Sequence, residues 1–138
     1  MVRSSRAARM LLWFSFPAFV GFGFFGVAAP CWLAGLVNIS LDSSTALADF
    51  RAIYGGVPFA VGVFMLIALY RETWLYPAVA LDGMCVAAAG LSRVYSWTVS
   101  GVPSPLILLF AGVELYVAVV ALRIYRHTLR ASPRSGGA

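Results

Sequence analysis

At 138 residues the chain has the length of one domain of about 100–200 residues. It is 62% hydrophobic and 11% charged, which excludes an ordinary soluble globule, whose charged share is about a quarter. The net charge of +5 comes from ten arginines against five acids, with no lysine, and most of the arginines stand at the two ends. That placement marks membrane topology and not a nucleic-acid surface.

The apolar run from Met10 to about Val37 follows Arg3, Arg6 and Arg9 and exceeds the roughly 20 residues that cross a hydrocarbon core. Basic residues before an apolar run, with Ala28-Ala29 behind it, imitate a secretory leader. The run is too long for one, and Pro30 before Cys31 spoils a lipoprotein site. Inside it, Gly21-Phe22-Gly23-Phe24-Phe25-Gly26 matches a dinucleotide fingerprint by letter. With no strand before it and a spanning segment around it, its glycines are read as helix-packing positions.

Asn38 to Ala48 is polar and forms a loop, in which Asn38-Ile39-Ser40 fits the glycosylation acceptor pattern. A second helix is predicted over about 47–70, followed by a turn at Arg71-Glu72 with Trp74 and Tyr76 as interface anchors. The third helix covers about 75–92. Arg93 to Ser104, with Tyr95, Trp97, Gly101 and Pro103, reads as a turn, and the fourth helix covers about 103–125. The basic tail, 127–138, is expected to be disordered. Cys31 and Cys85 lie in different apolar segments at different depths and are read as free thiols.

These elements predict an all-α fold, a four-helix transmembrane bundle in a single integral-membrane domain. Arginines flank both termini and the Arg71 turn, whereas Asn38 to Ala48 has none and the third connection has Arg93 alone. Both termini are therefore expected on the cytoplasmic side of the cell membrane, a bacterial inner membrane.

The stretch Asp49-Phe50-Arg51-Ala52-Ile53-Tyr54-Gly55-Gly56, with Arg93 closing the third helix and Glu114 within the fourth, resembles the bacterial membrane family catalogued as domain of unknown function 4345. Arg51 to Gly56 is the most specific part, and the resemblance runs from the first helix to Tyr125. It implies a four-helix membrane fold and marks Arg51, Tyr54, Gly55, Gly56, Arg93 and Glu114 as positions of interest without naming a reaction.

Glu114 stands about eleven residues from either end of its predicted helix, roughly 16 Å from each membrane face. An ionised, unpaired acid at that depth costs several kcal/mol, so it must be paired, protonated or beside a wet cavity. It is a proton carrier or an interhelical hydrogen bond. Asp82 is also deep, and Arg93 returns to nearly the same helical face with Ala89 between them, which makes an inward polar stripe. The plainer alternative bonds Asp82 to a neighbouring Ser or Tyr. Arg51, Tyr54, Gly55, Pro58 and Gly62 share a face by helical spacing, and its small residues leave room for another backbone or for a bound molecule.

Three acids, Asp49, Asp82 and Glu114, face two permanent cations, Arg51 and Arg93, within the bilayer or at its edge. If both arginines pair with acids, one carboxyl remains without a cation and is most cheaply buried as the neutral acid, a proton donor. Aromatics, including Phe22, Phe59, Phe110 and Trp97, either line a dry pocket or simply pack and meet lipid. His127 is the single histidine, so no metal site, no Ser-His-Asp set and no cofactor are expected.

The expectation for function is a small membrane-embedded enzyme acting on a lipophilic, isoprenoid-like substrate by carboxylic acid/base chemistry, such as cyclisation or isomerisation. Glu114, Asp82, Asp49 and Tyr54 are its catalytic candidates. Arg51, Arg93, Phe22, Phe59, Phe110 and Trp97 are its substrate-binding candidates. Membrane-bound terpene cyclases and lyases are similar in overall design only. The rival is a non-catalytic homo-oligomeric channel, carrier or accessory subunit. Partners under either reading are membrane lipids, with no nucleic acid.

Overall fold

A computed structural model describes residues 2–131, and every described element is helical. The order is α1 (Val2–Ala28), α2 (Pro30–Leu36), α3 (Ser44–Phe50), a π-helical turn (Arg51–Gly56), α4 (Val57–Tyr70), α5 (Glu72–Ser100) and α6 (Pro105–Ala131). Four spans are long and apolar enough to cross a membrane: Ser5–Ala28, Ser44–Tyr70, Glu72–Ser100 and Pro105–Thr128. The molecule is a four-helix bundle and a multi-pass membrane protein.

The boundaries depart from the predicted ones for local reasons. The first helix is not continuous to residue 37. Pro30 forces Ala29 out of the helical region, to φ −135° and ψ 56°, and itself opens α2. Helix α2 then ends on Asn38 at φ 56°, with Ile39 N–H donating to the Ala34 carbonyl and Asn38 N–H to the Gly35 carbonyl. This left-handed cap satisfies the last carbonyls of the helix.

The second span begins at Ser44, earlier than predicted, because the Ser43 side chain accepts from Ala46 N–H. The third helix does not stop at residue 92. Arg93 to Ser100 contains no breaker, and α5 ends only where Gly101 turns to φ 91°. The segment predicted as a turn is thus mostly helix, and Tyr95 and Trp97 ride on α5. Helix α6 continues through Ala131, so residues 127–131 of the predicted tail are helical, and 132–138 lie outside the described residues.

Glycines set two close helix pairs. A Cβ on Gly26 would run into the Tyr54 carbonyl, and one on Gly55 would lie 2.7 Å from Val27 Cγ2. Gly23 faces the Phe59 backbone and Gly62 meets Val20, so α1 crosses the second span at backbone contact. Two glycines of the fingerprint-like stretch therefore pack helices, while Gly21 faces open space. In the other pair, Gly83 lies against Ala121 of α6 and Gly90 against Leu115 and the Glu114 Cβ.

The two pairs meet at the end that carries both termini. Leu12, Met65, Leu69, Leu75, Val79, Val117 and Ala121 form one buried cluster there. Arg9 bonds the Leu69 carbonyl and pairs with Glu72 at 3.2 Å, which fastens α1 to the α4–α5 turn. Toward the opposite end the pairs separate. Leu33, Ala34 and Phe50 form only a small second cluster under α2.

Candidate functional site

Where the pairs part, a chamber of about 870 Å³ opens between α1, α5 and α6, with Tyr54 and Pro58 of the second span at its side. Leu33, Val37 and Ile39 from α2 and its cap, with Gly101 to Pro103, roof it. Ser15, Cys85 and Val117 line its deep end, next to the apolar cluster that closes the bundle. The volume lies within the roughly 300–1,000 Å³ of small-molecule sites.

Its aromatic lining comes mainly from α1 and the second span. Phe14, Phe19 and Phe22 stand on α1, Phe50 and Tyr54 on the second span, and Phe110 on α6. Phe50 stacks on Tyr54 with ring centroids 4.5 Å apart, which fixes the phenol against the chamber side. The α5 wall is polar by comparison: Ser92, Ser96 and Ser100 recur every four residues, beside Arg93 and Trp97.

One ion pair stands in this wall. Arg93 Nη1 lies 3.3 Å from Glu114 Oε1, and the two side chains are 31% and 20% exposed. Glu114 Oε2 is buried and has no hydrogen-bond partner among the described residues. The Arg93 guanidinium also lies 6.0 Å from the Phe110 ring centre. Glu114 follows Pro105 by about nine residues, roughly 14 Å, and is therefore nearer the chamber's roofed end than the mid-helix position expected from sequence.

Asp82 is fully buried at 0% exposure and does not line the chamber. Ser15 stands between, donating its hydroxyl to Asp82 Oδ2 at 2.7 Å, while Oδ1 has no partner among the described residues. The serine alternative for Asp82 is the one realised, and Arg93 turns to Glu114 instead.

The expectation that both arginines hold acids is corrected. Arg51 donates through Nε to the Val27 carbonyl at 3.3 Å, serving the end of α1. Asp49 is exposed on α3 and enters no ion pair among the described residues. The face predicted for Arg51 to Gly62 also divides, because the π-helical turn breaks the 3.6-residue spacing: Gly55 and Gly62 pack on α1 while Tyr54 and Pro58 face the chamber.

Of the predicted site residues, Glu114, Arg93, Tyr54, Phe22, Phe110 and Trp97 converge on the chamber, and Asp82 lies one hydroxyl behind it. Asp49, Arg51 and Phe59 do not reach it. Ser15 was not singled out from sequence, although a lone hydroxyl amid Trp13, Phe14 and Phe16 was a legible signal. The serine ladder was hidden by reading its helix as a turn. Among the described residues no group of His, Cys, Asp and Glu is placed to hold a metal ion.

Family comparison matches residues 7–125, which include every chamber-lining residue. The chain belongs to the family described as Domain of unknown function (DUF4345). No curated protein and no solved structure matches it.

Proposed function

We propose that this member of the family is a membrane-embedded enzyme that moves protons on a lipophilic, isoprenoid-like substrate held in the chamber, as in isomerisation or cyclisation. The observation that carries the reading is Glu114, which lines the aromatic cavity and whose Oε2 is buried without a donor among the described residues. A free oxygen in that setting is a place for a proton to arrive.

Two carboxyls in unlike surroundings divide the work. Glu114, paired with Arg93, serves as the carboxylate base. Asp82 has a hydroxyl and no cation beside it, so it is most cheaply held as the neutral acid. For the transfer the Ser15 hydroxyl turns from Asp82 Oδ2 into the chamber and gives its proton to the substrate as its oxygen takes the one on Asp82, while Glu114 removes a proton from the substrate; the substrate's proton count is unchanged and its double bond shifts. In a cyclisation the aromatic lining shelters the transient positive charge. Arg93 positions Glu114, and Tyr54 shapes the side wall.

The apolar cluster beneath Ser15 favours a closed-ended pocket over a channel reaching both faces. A carrier without chemistry would use the same chamber. We place the protein in the cell membrane, a bacterial inner membrane, with the arginine-flanked termini cytoplasmic. The test is solvent deuterium incorporation into an isoprenoid lipid fraction by protein in lipid nanodiscs. Glu114→Gln and Asp82→Asn should each lower it about 100-fold or more. Unchanged incorporation in both, or none with wild type, removes the enzyme reading.

A further inference from the structure

Resting on the chamber as the substrate site, we infer that its occupant is an uncharged lipophilic alcohol whose hydroxyl sits between Arg93 and Glu114. A guanidinium carries five N–H donors, and the 3.3 Å contact to Glu114 Oε1 occupies one side of it. Beyond this ion pair the Arg93 side chain donates no hydrogen bond among the described residues. Beside it Glu114 lines the chamber with Oε1 on Arg93, while Oε2 is shut off from it, with under 1 Å² exposed, and has no donor among the described residues, so the carboxylate can turn Oε2 toward an occupant without breaking a hydrogen bond there. An atom bound here must therefore accept from Arg93 and donate to Glu114.

A hydroxyl does both. An ether or ketone oxygen accepts only and leaves Oε2 orphaned, while an ammonium donates only and meets the guanidinium. A phosphate or carboxylate is drawn to Arg93 but repelled by Glu114 within the same contact. Because the ion pair is neutral as a unit, it selects against charged headgroups of either sign.

The surroundings agree with one polar end and one apolar chain. Ser92, Ser96 and Ser100 extend hydrogen-bonding capacity from the ion pair toward the roof. Below it, Val86, Ala89 and Val117 are apolar, and Ser15 is engaged by Asp82. Along α5 the chamber runs from Cys85 to Ser100, about 22 Å, which suits an extended chain better than a compact ring.

Cys85 supplies the reporter. It lines the deep end, and Cys31→Ala leaves it as the sole cysteine. In nanodiscs, alkylation of Cys85 by N-ethylmaleimide is followed while farnesol, farnesyl methyl ether or farnesyl phosphate is titrated in. Farnesol should half-protect at a concentration about tenfold below the other two, the margin expected for one hydrogen bond to a charged group. Glu114→Gln, nearly isosteric, frees the Arg93 charge and should reverse the order so that the phosphate protects best.

A methyl ether or phosphate equal to farnesol in wild type, no protection by any of the three, or an order unmoved by Glu114→Gln overturns the assignment. The two readings fail separately. Alcohol-selective protection without deuterium incorporation removes the chemistry and keeps the ligand. Incorporation with non-selective protection does the opposite.

Discussion

Glu114→Leu leaves the Arg93 guanidinium inside the chamber without a counter-charge, and Arg93→Met leaves the carboxylate in the same position. At 3.3 Å and an effective dielectric of about 20, the attraction lost is roughly 5 kcal/mol. The side chains are 31% and 20% exposed, so solvent or headgroups recover part of it, and a chain unfolded in the membrane finds other partners. Each single substitution should therefore cost about 2 kcal/mol, whereas the double substitution should cost less than about 1, because no orphaned charge remains. The assay is equilibrium unfolding in bicelles of wild type, both singles and the double, which isolates the coupling between the two residues. Additive losses, with the double as costly as the two singles together, would refute the claim that these side chains act as one neutral unit.

The remaining predictions concern packing and the buried acid. Gly26→Val drives a side chain into the Tyr54 carbonyl and should destabilise by more than about 3 kcal/mol, or abolish folded protein. Gly21→Ala, facing open space, should stay within about 0.5 kcal/mol; both are read by thermal unfolding in detergent. Ser15→Ala removes the one hydrogen bond of the Asp82 side chain among the described residues and should cost about 1–3 kcal/mol, with Asp82→Leu added to it recovering most of the loss. Asp49→Asn, exposed on α3 without an ion pair among the described residues, should change stability by less than about 0.5 kcal/mol and leave deuterium incorporation unchanged.

The four spans were legible because hydropathy and length alone determine them. Their ends were legible only where a breaker was weighed correctly. Pro30 breaks the first run as any proline disfavours a helical predecessor, whereas Arg93 to Ser100 was misread because polarity was taken for a turn. In a helix that borders a cavity, serines and an arginine are the inward face. Arg93 and Glu114 could be named from their cost in lipid, but their pairing could not, since it depends on α5 and α6 lying against each other at Gly90. The π-helical turn was beyond reach for the same reason: its spacing follows from the crossing at Gly26 and Gly55, a contact between distant segments.

The position of the chamber follows from the sizes of side chains along those two pairs. Near the termini, Ala8, Ala68 and Ala78 sit among the leucines and let the pairs close on each other. Toward the other end the facing positions are Phe22, Phe110, Trp97 and Arg93, which are bulky or charged, so the two pairs remain apart. Helix α2 exists in that gap because Pro30 turns the chain across it, and the Asn38 cap presents Ile39 to the roof. Arg93 and Glu114 therefore lie above a closed apolar floor and below a short helical roof. Phe14, 65% exposed within the span Ser5–Ala28, also borders the chamber, so the chamber wall continues to the surface that lipid would cover. That continuity is what supports the proposal of a lipophilic occupant beside the polar pair.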